Sequence, residues 1–130
     1  MSAGAPVLAP AIPRRFRGKV VLIACASRGI GAATARRLAA EGATLVLTGR
    51  KLDAAETLLA DLENASFVAG DVRARATADR VVASASERHG HFDVLVNNAA
   101  IDHTGAVLET PIEEVRALFE VNGFGATHML

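Results

Sequence analysis

The sequence predicts an α/β protein, a doubly wound parallel sheet with strand order 3-2-1-4 and helices on both faces. Short Val-, Ile- and Leu-rich segments alternate with Ala-rich helical ones, the pattern of successive βαβ units. The strand segments are apolar throughout, as in strands buried on both faces. Gly, Asn and charged residues gather just after the strands, where parallel sheets bind ligands.

Gly18–Ala24, "GKVVLIA", is the first strand. Gly29–Glu41 is a helix with Ile30, Thr34 and Leu38 on one face, and Gly42 is its C-terminal stop. Ala43–Gly49, "ATLVLTG", is the second strand. Leu52–Glu63 is a helix with Ala55, Leu58, Leu59 and Leu62 on its apolar side. Ser66–Ala69 is the third strand, Ala74–Arg88 the third helix and Phe92–Val96, "FDVLV", the fourth strand. In the last helix Thr110 is expected as N-cap, Pro111 as first helical residue and Glu113 as partner in a capping box. Ile112, Val115 and Phe119 form its apolar face.

The 130 residues suit one domain, and 51% of them are hydrophobic, enough for a packed core. Residues 1–17, with three of the four prolines, are expected as a flexible tail, Arg14–Lys19 being a solvated lead-in. The domain is expected over residues 18–130. Basic residues that follow the apolar part of the tail are in the wrong order for a secretory signal. Fourteen basic and fourteen acidic side chains balance, which gives no support for nucleic-acid binding. The longest apolar run, Val20–Ala26, is too short to cross a membrane. A single cysteine excludes an internal disulfide and suits a reducing cytoplasm. The four histidines form no pattern of metal ligands.

The loop "IACASRGIG", Ile23–Gly31, joins the first strand to the first helix. Gly29 and Gly31 remove Cβ atoms where helix N–H groups favour an anion. Taken singly they also suit a tight turn. With "GDV" at 70–72, "NNAA" at 97–100 and "EVN" at 120–122, in this order and on these elements, the chain resembles the short-chain dehydrogenase/reductase family. The resemblance runs from about Gly18 to Leu130 and implies a Rossmann-like domain of an NAD(P)-dependent oxidoreductase, acting on carbonyl or alcohol substrates. It implies cofactor contacts from Ser27, Arg28, Gly29, Ile30 and Gly31, from Asp71 and Val72 at the adenine, and from Asn98, Ala99 and Ala100. It implies a catalytic role for Asn122, the one residue of the family's catalytic Asn–Ser–Tyr–Lys group to be matched.

Arg50 stands at the end of the second strand, where an NAD site usually carries an acid. With Arg28 and the Ser27 hydroxyl opposite, it suits a 2′-phosphate, so NADP is expected over NAD. Each arginine alone would also pass as a solvated helix-end charge. Asp71 would likewise serve as a turn residue, and Asn97 and Asn98 as partners for backbone groups.

Three departures from the family pattern stand out. Ala24 replaces Thr, Cys25 replaces the first Gly of the loop, and Ala100 replaces the Gly of NNAG. If Cys25 needs a positive φ it is strained, and weaker cofactor affinity is expected. The chain contains no tyrosine. The Ser and Tyr-x-x-x-Lys residues that the resemblance implies are therefore expected outside a domain incomplete at its C-terminus. The alternatives are a non-catalytic nucleotide- or partner-binding module and a decayed gene product. An open edge on the fourth strand predicts self-association.

Overall fold

The computed structural model describes residues 9–130. The first part of the expected tail, residues 1–8, lies outside the described residues. The sheet holds β1 (Val20–Ala24), β2 (Thr44–Gly49), β3 (Ala65–Ala69) and β4 (Val94–Val96), all parallel, in the order β3-β2-β1-β4. The expected 3-2-1-4 order is thus the observed one. The central register aligns Val21 with Leu45 on one side and with Val94 on the other.

Alternation along β1 builds two cores. Val21 and Ile23 point to one face, with Leu45 and Leu47 of β2. There they meet Ala32, Ala35 and Leu38 of α1 (Gly29–Ala40) and Leu58 of α2 (Glu56–Ala60). Val20, Leu22 and Ala24 point to the other face and meet Ala78, Val81 and Ala85 of α3 (Arg75–His89). Each core strand is covered on both faces, which is why its sequence is continuously apolar.

Helix α1 packs through small residues rather than through the expected Ile30–Thr34–Leu38 face. Gly31, Ala32, Ala35 and Leu38 are buried, whereas Ile30 is 79% exposed. Small side chains let the helix lie close to β1, and that rotates Ile30 outward. The helix expected over Leu52–Glu63 is shorter, a 3₁₀ turn at Asp53–Ala55 leading into α2.

The last helical stretch is α4 (Ile112–Phe119), a π-helical segment at Glu120–Gly125, and α5 (Ala126–His128). The expected capping box does not form. The Thr110 hydroxyl donates to the Ala106 carbonyl at 3.0 Å, across a 3₁₀ turn at Val107–Glu109. Pro111, with ψ 142°, is the cap rather than the first helical residue. The expected apolar face of α4 is uncovered: Ile112 and Phe119 are exposed, and no α4 residue is buried.

Residues ahead of β1 are tied to the end of α1. Glu41 is fully buried and accepts from Arg15 Nε and Arg37 Nε, both at 2.5 Å, and from the Ile12 backbone N–H at 3.3 Å. Arg37 also donates to the Ala9 and Pro10 carbonyls. An acid at a helix C-terminus opposes the dipole, and these donors offset it. At the other side of β1, the Asp93 carboxylate accepts from the Val20 N–H at 2.9 Å and Lys19 Nζ at 3.2 Å.

These two acids predict the acid limb of stability. Burial pushes the Glu41 carboxyl up, but hydrogen bonds from Arg37, Ile12 and Arg15 outweigh it and hold it below 4.5. The Val20 N–H, against a smaller opposing effect of burial, holds Asp93 below 3.8, with help from Lys19. A carboxylate lowered on folding contributes stability that is complete above its unfolded value and lost as pH falls through its folded one. The melting midpoint is therefore expected to hold from pH 7 to about pH 5 and to fall below that. Glu41→Gln should melt lower at pH 7 and lose less on acidification. A midpoint with the same acid slope in both chains would remove Glu41 from this role.

Candidate functional site

Four segments converge at the carboxyl ends of the strands. Between β1 and α1, Cys25 has φ +57°, Arg28 is extended, and Gly29 has φ +58°. Two left-handed residues turn the chain sharply enough to aim the N-terminus of α1 at the ends of the strands. The first turn of α1 contains no acidic residue, so its positive dipole end is uncompensated from within the helix.

Gly31 is where α1 touches the loop. A Cβ there would stand 2.5 Å from the Cys25 carbonyl oxygen and 2.7 Å from Asn98 Nδ2. Asn98, just beyond β4, donates from that nitrogen to the Ala24 carbonyl at 3.2 Å and the Cys25 carbonyl at 3.1 Å. One side chain thus locks the ends of β1 and β4 together, directly under the loop.

The ends of β2 and β3 are joined by the Gly70 N–H donating to the Gly49 carbonyl at 2.8 Å. Arg50 follows, exposed. Asp71 is gripped by Arg73, whose backbone N–H donates at 3.0 Å and whose Nη2 donates at 2.6 Å. The Arg73 guanidinium, against a smaller effect of burial and with help from Arg50, holds the Asp71 carboxyl below its ordinary value. Val72 is buried against Gly125, where a Cβ would come within 2.8 Å of it. The Val72 carbonyl lies 3.0 Å from His128 Nδ1.

Asn122 sits in the π-helical segment, a local widening that is frequent at functional positions. Its carboxamide makes two bonds to one residue: Oδ1 accepts from the Ile101 N–H at 2.9 Å, and Nδ2 donates to the Ile101 carbonyl at 2.8 Å. Asn97 Nδ2 donates to the Ala126 carbonyl at 2.8 Å. The segment Asn97–Ile101 after β4 is therefore pinned at both ends to the last helical stretch.

A cleft lies between these segments. Of the residues expected at a site, it is lined by Arg28, Arg50, Asp71, Val72, Ala99 and Ala100. Ser27 is half-buried and Ile30 exposed in the loop beside it, while Gly29 and Gly31 shape the backbone. Asn98 and Asn122 support the walls. The sequence reading missed Arg73, Ile101 and Val121, which also line the cleft. The i, i+2 spacing of Asp71 and Arg73 is the available signal for the first, Val121 lies within the "EVN" segment, and nothing in the sequence marks Ile101.

The sheet order, with a cleft at its switch point between β1 and β4, defines a Rossmann-like α/β protein. Residues 19–130 match the family model for short chain dehydrogenases, and the chain belongs to that family. It is 37% identical over 110 residues to meso-2,3-butanediol dehydrogenase of Serratia marcescens, covering 83% of this chain and 44% of the relative. It is 37% identical over 117 residues to sorbitol dehydrogenase of Cereibacter sphaeroides, covering 89% and 46%. Among solved structures, a 3-ketoacyl-(acyl-carrier-protein) reductase from Brucella melitensis complexed with NADH superposes with a TM-score of 0.83 at 34% identity, over 88% of this chain and 48% of that one. The chain spans about half the length of the curated relatives it matches. Among the described residues no helix is long and apolar enough to cross a membrane.

Cys25 tests the strain at the loop. A left-handed φ costs a residue with a Cβ about 1–2 kcal/mol, partly offset because Gly loses more freedom on folding. Cys25→Gly is expected to raise the melting midpoint by a few degrees. A lower midpoint would mean that packing of the thiol outweighs the strain.

Proposed function

We propose that this chain is the cofactor-binding part of an oxidoreductase that moves a hydride between NADP(H) and a carbonyl or alcohol substrate. The observation that carries this reading is the cleft itself. It has arginines at the ends of β1 and β2, no acid at Arg50's place, and a loop whose Gly31 leaves no room for a Cβ. These residues fit a dinucleotide. The N-terminal N–H groups of α1 would bind the pyrophosphate, with Gly29 and Gly31 keeping the backbone open. Arg28, Arg50 and the Ser27 hydroxyl would take a 2′-phosphate, and Asp71 and Val72 the adenine. Asn98, Ala99 and Ala100 would form the inner wall. Asn122 would act by holding Ile101 in place.

The nicotinamide, when bound, supplies or accepts the hydride. A carbonyl that receives a hydride becomes an alkoxide and needs a proton donor. The chain has no tyrosine to provide it, and an amide such as Asn122 is not an acid near neutral pH. We therefore place the Ser and Tyr-x-x-x-Lys residues outside these 130 residues. The exposed apolar side chains of α4 support a self-associating chain.

Fluorescence titration of the 130-residue chain with NADPH and NADH tests the reading. Tighter binding of NADPH is expected, with no carbonyl-dependent NADPH oxidation. Binding of neither nucleotide would favour a partner-binding module or a product without function. Carbonyl-dependent oxidation by the chain alone would show that it carries a proton donor of its own.

A further inference from the structure

Among the described residues Asp71 is the only acid lining the cleft, and Arg73 occupies it. Arg73 Nε donates to Oδ1 at 3.1 Å and to Oδ2 at 3.0 Å, Nη2 donates to Oδ2 at 2.6 Å, and the Arg73 backbone N–H donates to Oδ1 at 3.0 Å. An ionised carboxylate has about four lone-pair sites. Three N–H groups of one residue, the Nε–H shared between both oxygens, occupy most of those sites. The pair is only two residues apart in sequence, so little chain entropy opposes it. Both side chains keep access to solvent, Arg73 51% and Asp71 31% exposed, so the grip can open without unfolding anything.

We infer that Arg73 is a specificity-determining residue that competes with a purine 6-amino group for the Asp71 carboxylate. This rests on the dinucleotide reading of the cleft. A free carboxylate at Asp71 favours a base that presents a donor and rejects one that presents a 6-oxo acceptor. A carboxylate covered by a guanidinium does neither, because the face it offers is that of the guanidinium's own N–H groups. The native chain therefore discriminates weakly between purines and depends on Arg28 and Arg50, which also line the cleft, for its affinity. The Arg73 charge also attracts phosphates, but by the same amount for either purine. The ratio of the two affinities therefore isolates the competition from general electrostatics.

The experiment is titration of the full chain, native and Arg73→Ala, with NADPH and with its hypoxanthine counterpart, which carries a 6-oxo group in place of the 6-amino group. The native ratio is expected within about threefold of one. Arg73→Ala should shift it about tenfold toward NADPH, the scale of one hydrogen bond to a charged group. Arg73→Lys, which keeps the charge and loses the planar fork, should give an intermediate ratio. Binding of both nucleotides with the same ratio in all three chains overturns the inference and leaves the dinucleotide reading intact. Binding of neither nucleotide by the native chain overturns both.

Discussion

Gly31→Ala is expected to be the most damaging single-methyl change in this chain. The added Cβ would stand 2.5 Å from the Cys25 carbonyl oxygen, 2.7 Å from Asn98 Nδ2 and 3.0 Å from the Ala26 Cα. Two of these atoms are backbone, and the third belongs to the side chain that locks β1 to β4. None is the far end of a flexible group, so α1 must move off the sheet or the Asn98 bonds must break. Overpacking of this kind costs about 1–3 kcal/mol, and a loss at the upper end lowers the melting midpoint by roughly 10 °C. Nucleotide binding should fall as well, because the displaced turn carries the helix N-terminus with it. Gly29→Ala is the control. Nothing lies within 4 Å of its new Cβ, so its only cost is the φ of +58°. Asparagine tolerates that conformation better than alanine, so Gly29→Asn should recover part of the loss. No substitution at Gly31 should recover anything, since the obstacle there is space. A Gly31→Ala chain that melts with the native one would mean that α1 stands further from Cys25 than described.

Arg50→Asp is expected to weaken NADPH binding by about a hundredfold, the scale of losing a charge-assisted contact to phosphate and placing a like charge there. NADH has no 2′-phosphate to lose and should bind as well as before, or better, since a carboxylate at the end of β2 suits a ribose hydroxyl. The preference should therefore reverse. Arg50 is exposed and packs against nothing in the core, so stability should be nearly unchanged, which separates this effect from that at Gly31. Its one electrostatic partner in the cleft is Asp71, whose carboxyl it helps to hold low. An acid at position 50 removes that help, so Asp71 should lie less far below its ordinary value and have slightly less stability to lose on acidification. Unchanged NADPH affinity would leave Arg50 a solvated charge. Tighter binding of NADH by the native chain would overturn the choice of cofactor.

The sheet was legible in the sequence because its causes are local. Val20–Ala24 and Thr44–Gly49 are apolar on both faces, so they had to lie inside a parallel sheet, and the βαβ alternation left few orders for it. The positions of the loop, of "GDV" and of "NNAA" after strands placed them at one edge of the sheet. The φ of Cys25 was foreseeable too, because a glycine pattern with one exception marks the residue that must strain.

Other features needed residues far apart in the chain. The packing face of α1 differs from the expected one because periodicity alone cannot tell a helix that packs by Leu and Ile from one that packs by Gly and Ala. Close approach to Cys25 and Asn98 decided it, and Ile30 turned outward. The capping box at Thr110 failed because an adjacent turn offered its hydroxyl the Ala106 carbonyl. Glu41 read as an ordinary helix-end acid, and only its distant partners Arg15 and Ile12 explain its burial. The pinning of Ile101 by Asn122 follows from a widened helical turn that no pattern announces. The sequence by itself determined the sheet, its order and the edge where a site lies, since hydrophobic period and chain connectivity act within each segment. Which side chains line that site, which support it and which one covers Asp71 was decided by tertiary structure, because hydrogen bonds and close contacts depend on atoms brought together only by folding.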